Sequence, residues 1–286
     1  MISHLLKRMI KQSFNSLGLE VYRKHEKRDI SSSQHSHPRS SRLGVLHHAR
    51  NMGLSFPTII DVGAAYGQFT LQCANLFPDA KYILVEPLEE YIPFLKEVTR
   101  SIRNARVVSA AATSQSGEVL INVHPDFTGS SLYLEDEDSN VNGGPRPVRS
   151  IALDSLLQDA TNKPPFLLKI DVQGAELDVL LGAEGIVQGA EYILLEVSFF
   201  PFFTGGPLFH DVLSFMRSRG FVVYDIFDLQ YRPLDNALSQ ADIVFVKEGG
   251  LLRRHHFYAT REQRERQSTH FELQRRELVK KYKMHD

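Results

Sequence analysis

From Leu43 onward, short continuous apolar runs alternate with stretches in which apolar residues recur every three or four positions. The runs predict buried strands and the three-to-four spacing predicts helices with one buried face. Strands are expected at Ile59–Val62, Tyr82–Val85, Arg106–Ala110, Leu167–Asp171, Tyr192–Val197, Phe221–Ile226 and Ile243–Val246. Helix faces are marked by Phe69, Cys73, Leu76 and Phe77, then by Leu88, Ile92, Leu95 and Val98. Leu177, Leu180 and Leu181 mark a third, and Leu208, Val212, Phe215 and Met216 a fourth. Val119, Ile121 and Val123 alternate with period two, as in an antiparallel ribbon, and Pro125–Arg149 reads as loop-rich. Strands alternating with crossover helices imply an α/β fold with a mainly parallel sheet and helices on both faces. Ligands bind such sheets beyond the carboxyl ends of the strands. The loops after Val62, Val85, Ala110, Ile170 and Val197 are therefore the places where a site is expected.

The two ends break this pattern. Ile2, Leu5, Leu6, Met9, Ile10, Phe14 and Leu17 share one helical face while Lys7, Arg8 and Lys11 lie off it. Residues 1–24 thus read as a basic amphipathic helix, packed on the main domain or in weak contact with a membrane surface. Residues 25–42 are polar and Ser-rich and read as a flexible linker. Residues 43–250 form the α/β domain, and 251–286 a charged tail. The net charge of −1 hides a division: 1–28 and 251–286 are each +5, leaving −11 between them. An acidic body argues against a nucleic-acid partner. Cys73, the single cysteine, allows no intrachain disulfide and falls in an apolar helical pattern, which predicts a buried, inert thiol. No apolar stretch approaches the ~20 residues of a membrane span, so a cytoplasmic protein is expected.

Candidate chemistry begins at the first strand. Asp61 stands at its end, and Gly63-Ala64-Ala65-Tyr66-Gly67 follows. Small residues let the backbone turn sharply and approach a ligand. Glu86 ends the next strand, where a carboxylate can accept both hydroxyls of a ribose. A phosphate-binding Walker loop would need Gly-Lys-Ser/Thr, which is absent. A dinucleotide fingerprint would place a small residue where Gln68 stands. S-adenosylmethionine has a ribose but no phosphate, and suits an acid beside the turn plus Glu86. The second constellation is "LLKIDVQGAELDVLLGAE", with Lys169 and Asp171 at a strand tip and Glu176 opening the next helix. Asp171 at a strand tip can also be a helix cap, the lesser reading. Glu196 ends the strand after that, followed by the aromatic run Phe199–Phe203, which suits an acceptor pocket, the core or an interface.

Together, "IIDVGAAYGQF", "VEP", "GSSL", "LKIDVQGAELDVLLGAE" and "LLEVSF" resemble the FkbM family of S-adenosylmethionine-dependent methyltransferases, over roughly Leu43 to Lys247. The resemblance implies a Rossmann-like class I methyltransferase fold and methyl transfer to oxygen, with hydroxyls of sugars, glycans or polyketide-like metabolites as acceptors. Ala65 departs from the asparagine frequent in the family. The cofactor set expected on this reading is Asp61, Gly63, Ala65, Gly67, Glu86, Pro87 and Ala111, and no metal is called for. An acceptor alcohol is a weak nucleophile and needs a base within hydrogen-bond reach. Asp171 is the first candidate and Glu196 the second, with Lys169 as ion partner. Ser130 and Ser131 are candidates for contact with cofactor or acceptor, or for loop capping; His124 and His210, in loops near the same edge, read as surface or structural histidines. A catalytically silent Rossmann-type module that binds a nucleotide or a partner is the alternative, and a dinucleotide oxidoreductase a weaker one.

Overall fold

The structure is a computed structural model that describes residues 37–136 and 141–282. The amphipathic segment 1–24 and residues 25–36 lie outside the described residues. The elements run α1 (Arg42–Asn51), β1 (Thr58–Val62), α2 (Gln68–Leu76), β2 (Lys81–Glu86), α3 (Ile92–Ser101), β3 (Ala105–Ser109), β4 (Ala111–Ala112), β5 (Gly117–Val123) and β6 (Gly144–Ile151). They continue with β7 (Phe166–Ile170), α4 (Glu176–Leu181), α5 (Glu184–Gly189), β8 (Ala190–Ser198), α6 (Phe209–Ser218), β9 (Phe221–Tyr231), β10 (Leu238–Lys247) and α7 (Arg261–Tyr282).

Seven strands form one sheet in the order β3-β2-β1-β7-β8-β10-β9. The first five of these pair in parallel, and β10 runs antiparallel to both β8 and β9. β1 and β7 are buried at every position, as a strand covered on both faces must be. Alternate residues divide between two cores. Ile60, Val62, Leu168, Ile170, Ile193 and Leu195 face α4, α5 and α6; Ile59, Leu167, Tyr192 and Leu194 face α1, α2 and α3. Burying one such side chain contributes about 1.5–3 kcal/mol, so the double layer is what holds the sheet. This is the Rossmann-like class I methyltransferase fold. Its switch point, where the chain leaves β1 for the β3 side and returns at β7, lies between β1 and β7.

Two sequence expectations are corrected. The loop-rich stretch Pro125–Arg149 leads into a strand that the sequence did not mark: β6, Gly144–Ile151, pairs antiparallel with β5. Its prolines, Pro145 and Pro147, lie where β6 has a partner on one side only, because the two-residue β4 reaches just Ser150 and Ile151. An edge tolerates the missing N–H groups. The second correction concerns length: β9 and β10 run well past Ile226 and begin well before Ile243, as one long antiparallel pair. The charged tail holds a 22-residue helix, α7, with no buried position. Among the described residues, no helix is long and apolar enough to cross a membrane.

Candidate cofactor and acceptor site

A cavity with about 740 Å³ of empty space, its open mouth included, lies at the carboxyl ends of β1, β2 and β7. Its position follows from the turn after β1. Gly63 has φ 70 and its N–H donates to the Val85 carbonyl at 3.0 Å. A Cβ there would fall 1.8 Å from the carbonyl oxygen of Asp171, so glycine is what lets the β1 and β7 turns touch. Ala65 also has positive φ, 44, which alanine adopts only with strain.

Gly63, Ala65, Glu86, Pro87, Ala111 and Asp171 line the cavity. Glu86 is buried and holds the turn itself: Ala65 N–H donates to its Oε2 at 2.9 Å and Leu88 N–H to its Oε1 at 3.0 Å. Burial pushes its carboxyl up, against those two donors and the Lys169 charge.

Four expected site residues do not line the cavity. Asp61 points to the helix layer, because it shares strand parity with Ile59, and is 1% exposed. Thr70 of α2 donates to its Oδ2 at 2.7 Å, and Lys169 Nζ stands 3.4 Å from Oδ1. Lys169 is buried between Asp61 and Asp171 (3.2 Å) and donates to the Gly63 carbonyl at 2.8 Å. It is a clamp behind the turn rather than a group in the cavity. Gly67, with φ 75, precedes α2; a Cβ there would press on Val98 and Leu95, so its role is to let α3 pack closely. Glu196 lies under three glutamine side chains: Gln173 Nε2 donates at 2.7 Å, Gln230 at 2.8 Å and Gln240 at 2.9 Å.

These residues form a charged row across the sheet. Asp61 pairs in register with Lys169, and Glu196 with Asp242, which Arg42 of α1 approaches at 3.4 Å. Burial pushes Glu196 up to about 8, helped by the charges of Asp171, Asp242 and Glu176. Burial likewise raises Asp242 to about 6, against Arg42, and Glu176 to about 7, against its own N–H and that of Gly174.

Sequence reasoning did not find Tyr91, Phe127 or Thr128, which form the opposite wall with Leu88 and Ile121. Tyr91 is 3% exposed, yet its hydroxyl makes no hydrogen bond within the protein. Thr128 lies near enough to act on it without completing one. A buried orphan donor in a cavity wall calls for a ligand atom. Ser130 lines the cavity and its Oγ accepts from His124 N–H, while Ser131 Oγ donates to the Gln173 carbonyl at 2.5 Å. His124 turns to Asp126, and His210 is largely exposed beside Asp211. Phe199 stacks on Phe209, Phe203 packs under Gly174, and neither lines the cavity. The Cys73 thiol is buried.

The domain model of the FkbM methyltransferases matches residues 61–223, more than half of the chain. The methyltransferase sdnD of Sordaria araneosa is 25% identical over 159 residues, which are 46% of this chain and 61% of that protein. The chain thus spans about three fifths of that relative's length. Among solved structures, an FkbM methyltransferase from Methylobacillus flagellatus overlaps 65% of this chain and 43% of its own, with 15% identity and a TM-score of 0.41. A TehB-like S-adenosylmethionine-dependent methyltransferase from Corynebacterium glutamicum overlaps 85% and 96%, with 12% identity and a TM-score of 0.40. The matched segment opens at Asp61 and takes in Gly63, Glu86, Lys169, Asp171 and Glu196, and the chain belongs to the FkbM methyltransferase domain family.

Proposed function

We propose that the protein is an S-adenosylmethionine-dependent methyltransferase that acts on a hydroxyl of a sugar, glycan or polyketide-like metabolite. The observation that carries the reading is the cavity: a carboxylate at the tip of β2, a glycine turn at β1, an apolar far wall and one orphan hydroxyl. Glu86 would accept from the ribose hydroxyls, and the Gly63–Ala65 turn would hold the amino-acid end. Leu88, Ile121 and the small residues Ala110–Ala112 line an apolar slot that fits a flat adenine ring. Tyr91 offers the donor that lacks a partner. When bound, S-adenosylmethionine supplies a methyl group activated on a cationic sulfonium. The −11 charge of residues 29–250 favours such a cation and disfavours polyanionic acceptors such as nucleic acid.

Of the two candidate bases, Asp171 is the one that lines the cavity. Lys169 holds its Oδ2 at 3.2 Å and Gln173 its Oδ1 at 3.3 Å. Fixed on both sides, it can accept the proton of an acceptor hydroxyl without losing its orientation. The inset sheet of β5 and β6, with Phe127 and Leu132 packed against Leu88 and Tyr91, covers one flank and excludes water there.

Glu86 gives the first test. Glu86→Ala would strip two buried N–H groups of their acceptor, so Glu86→Gln is the better variant. It keeps one acceptor oxygen but loses the charge. Charge-assisted hydrogen bonds contribute about 1.5–3 kcal/mol, so affinity for S-adenosylhomocysteine should fall roughly tenfold to a hundredfold, with the fold kept and the melting temperature lowered by the one backbone N–H, of Ala65 or Leu88, that then faces an amide NH2. Unchanged affinity in calorimetry would take Glu86 out of the site. A screen with methyl-labelled cofactor against hydroxylated metabolites and glycans then identifies the acceptor class.

A further inference from the structure

Gln173 stands outside every motif role assigned so far, yet three parts of the site meet on it. Its backbone is left-handed, φ 54, which a non-glycine residue rarely adopts, and Gly174 follows at φ 88. This turn sends the side chain across the carboxyl ends of β7 and β8. One amide nitrogen, Nε2, then lies 2.7 Å from Glu196 Oε2 and 3.3 Å from Asp171 Oδ1. The backbone carbonyl of Gln173 accepts from the Ser131 hydroxyl, which comes from the segment between β5 and β6. Gln173 also lines the cavity. A strained turn held from both sides, with its amide shared between two carboxylates, is the arrangement of a residue that orients others.

We propose that Gln173 is a positioning residue that fixes the cavity carboxylate Asp171 relative to the buried carboxylate Glu196 and lowers the cost of holding both charges together. The assignment of Asp171 to the acceptor rests on the methyltransferase reading; the link between the two carboxylates does not. An amide N–H stabilises an ionised carboxylate and does nothing comparable for a protonated one. Glu196 is where this shows, because its surroundings oppose ionisation. Asp171 from the β7 turn, Asp242 from β10 and Glu176 from α4 all raise it, and burial raises it most. Gln173 opposes that rise, and Gln230 of β9 and Gln240 of β10 also donate to it. Cations stand further along the row: Lys169 of β7 against Asp171, and Arg42 of α1 against Asp242, with Asp228 of β9 acting on Arg42.

The titration of Glu196 reads this directly. Carbon-13 labelling of Glu side-chain carboxyls, with Glu196→Gln to assign the signal, gives its midpoint by NMR. Two variants remove the bond without demanding a side chain the turn rejects. Gln173→Gly relieves the left-handed strain, and Gln173→Asn keeps an amide too short to reach Glu196 in a conformation asparagine tolerates. Loss of one charge-assisted bond corresponds to about one pH unit or more. The Glu196 midpoint should therefore move upward by about that much in both variants. A midpoint unmoved in a folded Gln173→Gly protein would overturn the proposal, since a residue that only shapes the turn leaves Glu196 where it was. S-adenosylhomocysteine binding is measured on the same samples. Its absence in the wild type would count against the methyltransferase reading, while the shift of Glu196 would still decide the role of Gln173.

Discussion

Replacing Lys169 with methionine should destabilise the protein by about 3–5 kcal/mol, the usual cost of leaving a buried charge without its partner. Methionine fills much the same volume, so packing changes little. What is lost is the ammonium that faces Asp61 at 3.4 Å and Asp171 at 3.2 Å and donates to the Gly63 carbonyl. Asp61 suffers most: it is 1% exposed, and Thr70 is its other partner. Against a total stability of about 5–15 kcal/mol, such a loss is large, and the melting temperature should fall by roughly 10 °C or more. The double variant Lys169→Met with Asp61→Asn separates charge from shape. If the uncompensated charge is the cause, neutralising Asp61 restores much of the stability. If the double variant is as unstable as the sum of the singles, the clamp acts through packing.

Asp171→Asn is the second large effect, and it falls on rate instead of stability. Asparagine keeps the size, α4 starts behind Ala175 with no side-chain cap to lose, and Lys169 retains Asp61. The fold and cofactor affinity should therefore persist. A general base contributes typically about 10²–10⁴-fold, and turnover of the acceptor found in the labelled screen should drop by that much. Near-normal turnover with unchanged melting would leave Asp171 a structural partner of Lys169 and take the role of base away from it.

The sheet was legible because its central strands are continuous apolar runs bounded by turns, a pattern that survives any tertiary context. β6 was not, because Pro145 and Pro147 read as loop unless the neighbouring edge is known to be open. The glycine turn and Glu86 could be located from spacing alone. The orientation of Asp61, Lys169 and Glu196 could not, although strand parity held the clue. Asp61 is two residues from Ile59, Lys169 two from Leu167 and Glu196 two from Leu194, all of which face the layer of α1, α2 and α3. An acid at a strand tip can serve the helix layer as readily as a ligand. Tyr91 and Gln173 were invisible for a different reason. Their importance comes from an unfilled hydrogen bond and a left-handed turn, neither of which leaves a periodic trace.

The central claim is that the cavity between β1, β2 and β7 takes S-adenosylmethionine. Calorimetric titration of the protein with S-adenosylhomocysteine, and with NAD in parallel, tests it most directly. The account predicts saturable one-to-one binding of S-adenosylhomocysteine, weakened by Glu86→Gln, and no heat from NAD. Tight binding of NAD with no response to S-adenosylhomocysteine would contradict it.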